Sequence, residues 1–204
     1  MTGQPAPLEN VSPSPGQRFS DSSNEFGLLG GDHYALPTHN IVLLERFLRE
    51  MLGGVPYYYA GFDETDQKMG RPPHIFVRVG NVLVQCTEEP GETNTAPSDQ
   101  RIAPHWAFHT SSEGLDRNRA RLEQAGIPVA GPYRHRGVEC VSIYFRAPEG
   151  HKLEIVTWEP YPEERAQVLG APGVGFIDWS KLVHSWPERA PSLAPQTRNP
   201  AEAT

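Results

Sequence analysis

Cysteine is scarce in this chain, with two residues among 204. Cys86 and Cys140 each lie inside a strand-like run, "VLVQCT" and "VECVSIYF", where small buried thiols are common. That usage excludes a disulfide framework and fits a reducing cytoplasm. Long apolar runs are missing too. None approaches the roughly 20 residues a membrane helix needs, and the N-terminus lacks the basic start and apolar core of a signal peptide. Basic residues are outnumbered, 18 Lys and Arg against 25 Asp and Glu, for a net charge of −7. This excess of acid argues against a nucleic-acid partner. The basic cluster Arg117, Arg119 and Arg121 falls among acids on an expected helix and reads as a solvated face.

Proline and glycine are plentiful, at 21 and 19 residues, and much of the proline sits at the ends in "QPAPLENVSPSPGQ" and "ERAPSLAPQTRNPAEAT". Stretches with so few large apolar side chains cannot offset their own ordering entropy. Residues 1–29 and 187–204 are therefore expected to be extended or disordered arms around a domain spanning 30–186.

Within that body two segments repeat one order of elements. The first, about 30–90, opens with the strand candidate "DHYAL". A helix follows in "NIVLLERFLREML", with Ile41, Leu44, Leu48 and Met51 on one stripe and Gly53-Gly54 at its end. Strand candidates "VPYYYAGF", "HIFVRVG" and "NVLVQCT" come next. The second, about 104–160, opens with "PHWAFHT". Its helix runs from about Glu113 to Ala125, with Ser111 or Ser112 as N-cap and Gly126 closing it. Strands are expected in "VAGPY", "VECVSIYF" and "KLEIVTW". Both segments read βαβββ, so the class is α+β. Two tandem modules imply a pseudo-symmetric pair of curved four-stranded sheets, together a curved eight-stranded mixed sheet with helices outside.

Strand alternation then sorts the second module. Val141, Ile143, Phe145, Leu153 and Ile155, with Trp106 and Phe108, point toward the helices. His105, Ala107, His109, Ser142, Tyr144, Glu154, Val156 and Trp158 share the other face. A polar and aromatic face opposite an oily one is the pattern of a lined cleft. His33 opens the first module where His105 opens the second, and Glu154 lies in the last strand. Two neutral imidazoles and one carboxylate form the facial triad suited to non-haem Fe(II), although the same trio can hold Zn²⁺ or Mn²⁺.

With "DHYAL", "PHWAFHT" and "YFRAPEGHKLEIVT" in view, residues 30–160 resemble the vicinal oxygen chelate superfamily. Its fold is shared by glyoxalase, bleomycin-resistance and extradiol dioxygenase proteins. The resemblance implies metal ligation by His33, His105 and Glu154. One part of it matches the signature of the type I extradiol dioxygenases. The signature runs from His135 across seven residues to Ile143-Tyr144, then through the turn "APEG" to Glu154; Tyr133 departs from it, where a small or β-branched residue is usual. By this resemblance His135 is the acid/base, Tyr144 binds a substrate oxygen, and the cofactor is Fe(II) with O2 as co-substrate. The partner is a small aromatic diol, and the protein is a homodimer. A fourth, carboxylate ligand of the glyoxalase type is missing, since the first module offers Val84 or Gln85 there.

The chain departs from the larger extradiol enzymes in having one module pair, and in offering no second histidine at the matching strand of its first module. Short single-pair enzymes of this kind include L-DOPA 2,3-dioxygenases of actinobacterial antibiotic pathways, so L-DOPA is the specific substrate expected. Arg101, Arg134, Arg136 and His109 are the candidates to bind it. The alternatives are another divalent-metal enzyme on this scaffold (a thiol transferase, isomerase or epimerase) and a metal-free ligand-sequestering protein. Residues 161–186 lie beyond the repeat yet carry Phe176, Trp179, Leu182 and Trp186. They are expected to form a short helix and an arm covering the cleft mouth or a partner subunit.

Overall fold

A computed structural model describes residues 33–88, 104–135 and 140–187. The expected arms at the two ends lie outside these residues, apart from Pro187. The first module comprises strand β1 (His33–Thr38), helix α1 (Ile41–Leu52), β2 (Val55–Ala60), the short helix α2 (Glu64–Lys68), β3 (His74–Val79) and β4 (Val82–Glu88). The second comprises β5 (Trp106–His109), α3 (Ser112–Gln124), β6 (Ala130–Arg134), β7 (Val141–Arg146) and β8 (Lys152–Thr157). Beyond it a two-residue strand β9 (Gln167–Val168) adds to β6.

The eight expected strands are all present, distributed over two hydrogen-bonded mixed sheets. The first has the order β1-β4-β3-β2 and the second β5-β8-β7-β6-β9. Each module repeats one wiring: its opening strand runs parallel to its last, β1 on β4 and β5 on β8, while the remaining neighbours pair antiparallel. β1 and β5 are therefore edge strands. They are joined through side chains, with the Tyr34 and Trp106 rings stacked at 4.2 Å.

Local signals account for the helix ends. Asn40 caps α1 by accepting from the Leu43 amide, and Gly53 ends it in the left-handed region at φ 66°, where a side chain would be strained. Ser111 caps α3 by accepting from the Gly114 amide. The buried stripe of α1, which includes Leu44, Phe47 and Leu48, meets residues of both modules in one core, among them Val77, Cys86, Leu115, Ile143, Phe145 and Leu153. This burial supplies the main stabilisation.

The modules are also tied by polar contacts across the chain. His151 Nε2 donates to the Pro37 carbonyl at 2.8 Å, and the His39 amide donates to the Glu149 carboxylate at 2.8 Å. Among the described residues no helix is long and apolar enough to cross a membrane.

Candidate active site

The site grows out of the β7–β8 hairpin. Its turn closes through the Ala147 amide donating to the His151 carbonyl and the Gly150 amide donating to the Ala147 carbonyl. This fixes the register, so that Arg146 faces Lys152, Tyr144 faces Glu154 and Ser142 faces Val156. These three rungs share one side of the sheet. The alternating residues Val141, Ile143, Phe145, Leu153 and Ile155 fill the core behind them. β5 then lies parallel on β8, with Ala107 opposite Glu154, so His105, two residues earlier on the same face, stands level with Lys152 and reaches Glu154 through its side chain.

Four of the expected residues form one line of hydrogen bonds. His105 Nε2 stands 2.8 Å from Glu154 Oε2. The Tyr144 hydroxyl donates to Glu154 Oε1 at 3.1 Å and lies 3.1 Å from His135 Nε2. With its proton directed to Glu154, the Tyr144 oxygen is left to accept from His135, which assigns the proton to His135 Nε2. Burial raises the Glu154 carboxyl, but His105 first, then Ser142 and Tyr144, outweigh it and hold the group below its usual range. Burial, reinforced by the Glu154 charge, pushes the Tyr144 phenol far up. Burial lowers His135, opposed by Glu154 and aided by His105, so the imidazole is neutral at neutral pH. Ser142 Oγ is buried on the adjoining rung, where it acts on both the Glu154 carboxyl and the Tyr144 phenol.

Tyr144 and Glu154 are 3 % and 8 % exposed, so this face is covered rather than open. The cover is the single-turn helix Trp179–Leu182 beyond the repeat. Trp179, 1 % exposed, sets its ring edge-on to Tyr144 at 5.9 Å and 6.4 Å from the His105 ring. With Tyr144 and Leu182 it forms a small apolar cluster separate from the main core. Gly170, Gly173 and Gly175 adopt positive φ where the chain turns back toward it.

His105 and Glu154 stand as two neighbouring donors to a divalent cation would. The 2.8 Å between His105 Nε2 and Glu154 Oε2 is close to the roughly 3 Å edge between neighbouring donors when each bond is about 2.1 Å. The third expected ligand, His33, opens β1 one residue before the Tyr34–Trp106 stack, as His105 immediately precedes β5. Alternation turns both histidines to the side opposite the stacked rings. The His33 ring stands 5.6 Å from Phe76, edge-on. Among the described residues no group of three or more His, Cys, Asp or Glu side chains gathers in a metal-holding cluster. Among the described residues His105 and Glu154 are thus brought together, and His33 is not gathered with them in such a cluster.

The register also decides between Val84 and Gln85 as the first-module counterpart of Glu154. Ala35 lies opposite Gln85 on β4 as Ala107 lies opposite Glu154 on β8. The equivalent residue is Gln85, a neutral amide. His109 ends β5 and is exposed. Arg134 donates from Nη2 to the Tyr161 carbonyl at 3.0 Å, anchoring the segment that leads to Trp179. Arg101 and Arg136 lie outside the described residues. Sequence reasoning passed over Arg146 and Lys152, although extending the strand alternation by one residue on each side of the turn would have placed both on the site face.

No protein-family profile matches the chain. It is 36 % identical over 59 residues to the glutathione transferase FosA of Serratia marcescens, a match covering 29 % of this chain and 40 % of that protein. The chain thus spans two fifths of the length of this curated relative. Among solved structures it is similar to the fosfomycin resistance protein FosX of Listeria monocytogenes complexed with Mn(II) and sulfate, at a TM-score of 0.49 and 20 % identity, over 68 % of this chain and 97 % of that one. It is also similar to the oxidase ChaP-H2, at a TM-score of 0.45 and 24 % identity, over 64 % and 93 %.

Proposed function

We propose that this chain is an Fe(II)-dependent extradiol dioxygenase that opens the ring of a catechol, with L-DOPA 2,3-cleavage as its specific reaction and a homodimer as its working form. His33, His105 and Glu154 would hold the ion. Bound there, Fe(II) supplies a centre at which an electron-rich diol and dioxygen exchange electrons, and both oxygen atoms enter the ring-opened product. The observation that carries this reading is the unbroken line from His135 through Tyr144 to Glu154 and His105.

Each member has a task that follows from its surroundings. A neutral His135 can take the proton a catechol loses on binding and return it later. Tyr144 stays protonated, and its one O–H, given to Glu154 in the free site, would turn to a substrate oxygen once Glu154 is engaged by the ion. Trp179 closes the face above them and excludes water, which strengthens each of these interactions.

A second reading, a metal-dependent thiol transferase acting on an epoxide, is favoured by the identity with the FosA relative. That relative's name concerns glutathione transfer, and such a reaction does not call for His135. Turnover separates the two. Iron-loaded protein given a catechol in air is expected to form a yellow ring-opened product. Formation of a glutathione adduct of fosfomycin by manganese-loaded protein, with every catechol left intact, would favour the second reading.

A further inference from the structure

The rung next to Tyr144–Glu154 carries two cations. Arg146 and Lys152 face one another across β7 and β8, on the site side of the sheet and one alternation, about 7 Å, along the strands. Like charges placed opposite each other in a strand pair destabilise it. Lys152 is nonetheless only 5 % exposed. Its ammonium lies 5.6 Å from the centre of the Trp179 ring. Arg146 donates from Nε to the Trp179 carbonyl at 3.0 Å and from Nη1 to the Gly150 carbonyl at 3.2 Å. Carbonyl oxygens satisfy those donors without neutralising the guanidinium, and the fork has further donors in the same plane. The residue that roofs the proposed reaction centre is thus the residue that holds this cationic rung.

We propose that Arg146 and Lys152 form the anion subsite of the cleft, so that its substrate carries, beside its chelating oxygens, an anionic group, most simply a carboxylate, held one alternation along the strands from Tyr144 and Glu154. This rests on the catechol reading above and narrows it. Two oxygens at the Glu154 rung and one anion at the Arg146–Lys152 rung define the length and polarity of the molecule. A side-chain carboxylate on a catechol ring meets both requirements.

The test compares ligands that differ only in charge. Iron-loaded protein, kept anaerobic, is titrated by calorimetry with a catechol bearing a propionate side chain, with its neutral primary amide, and with the matching phosphonate. The carboxylate is expected to bind about tenfold or more tightly than the amide, as a hydrogen-bonded charge pair allows. Lys152→Met and Arg146→Gln should each bring that ratio toward one, and Lys152→Arg should preserve it. Equal affinity for carboxylate and amide in the unaltered protein would overturn the proposal, as would a ratio that survives both neutral substitutions. Tighter binding of the phosphonate than the carboxylate, with the same dependence on Lys152, keeps the subsite but assigns it to a phosphonate substrate. If catechols are cleaved with no preference for charge, the ring-cleavage reading stands and the subsite falls. If the anions bind through Lys152 and no catechol is ever cleaved, the subsite stands and the ring-cleavage reading falls.

Discussion

The His151 imidazole, on the last residue of the β7–β8 turn, donates to the Pro37 carbonyl of the first module at 2.8 Å. It is 2 % exposed, and burial lowers its pKa from the ordinary 6.5. A buried histidine with a lowered pKa binds fewer protons folded than unfolded. Its contribution to stability is therefore full above about pH 6.5 and is lost as pH falls from there through the lowered value. His151→Phe leaves the Pro37 carbonyl unpaired and is expected to cost about 1–3 kcal/mol. Urea melts at pH 7.5 and pH 5.5 check both points, because the variant should lose less stability on acidification than the native chain.

Removing the Tyr144 hydroxyl should separate chemistry from folding. Tyr144→Phe keeps the ring against Trp179 and deletes the link between His135 and Glu154. Turnover is expected to fall on the order of 10- to 100-fold, the worth of a hydrogen bond to a charged group. Iron content after loading, measured by absorption spectroscopy on the metal, should be unchanged.

His135→Ala removes the proton carrier one step farther from Glu154. A loss of roughly 10²–10⁴ in kcat is expected with iron still bound. Loss of the metal from this variant would mean that His135 is itself a ligand and that its role here is misassigned.

Trp179 belongs to a cluster apart from the main core, yet it is almost fully buried. Trp179→Ala is expected to destabilise by about 3–5 kcal/mol, the usual range for a buried tryptophan. It should also expose Tyr144 to acrylamide quenching. Unchanged stability would show that residues 176–182 contribute little to the fold.

Much of this architecture was legible in the sequence because its signals are periodic. The α1 stripe, its Gly53 cap and the Ser111 cap marked two helices to within a residue or two of their observed ends. Alternation in "VECVSIYF" and "KLEIVTW" sorted the faces, since burial of one side leaves no freedom of register. The sites of failure have no such period. α2 is a five-residue turn of "ETDQK" without an apolar stripe, and β9 is two exposed residues held by β6. Trp106, expected on the buried side, is 36 % exposed because β5 is an edge strand and its ring stacks on Tyr34 instead. Trp179 could be read as an apolar anchor, but only the folded chain shows that it covers Tyr144.

The central claim is ring cleavage by dioxygen, and an oxygen electrode tests it most directly. Protein loaded anaerobically with Fe(II) is mixed with air-saturated buffer and L-DOPA while absorbance in the visible is followed. Oxygen uptake equimolar with the appearance of a yellow semialdehyde is the predicted result. No uptake with L-DOPA or any other catechol, from protein shown to hold its iron, would contradict the account.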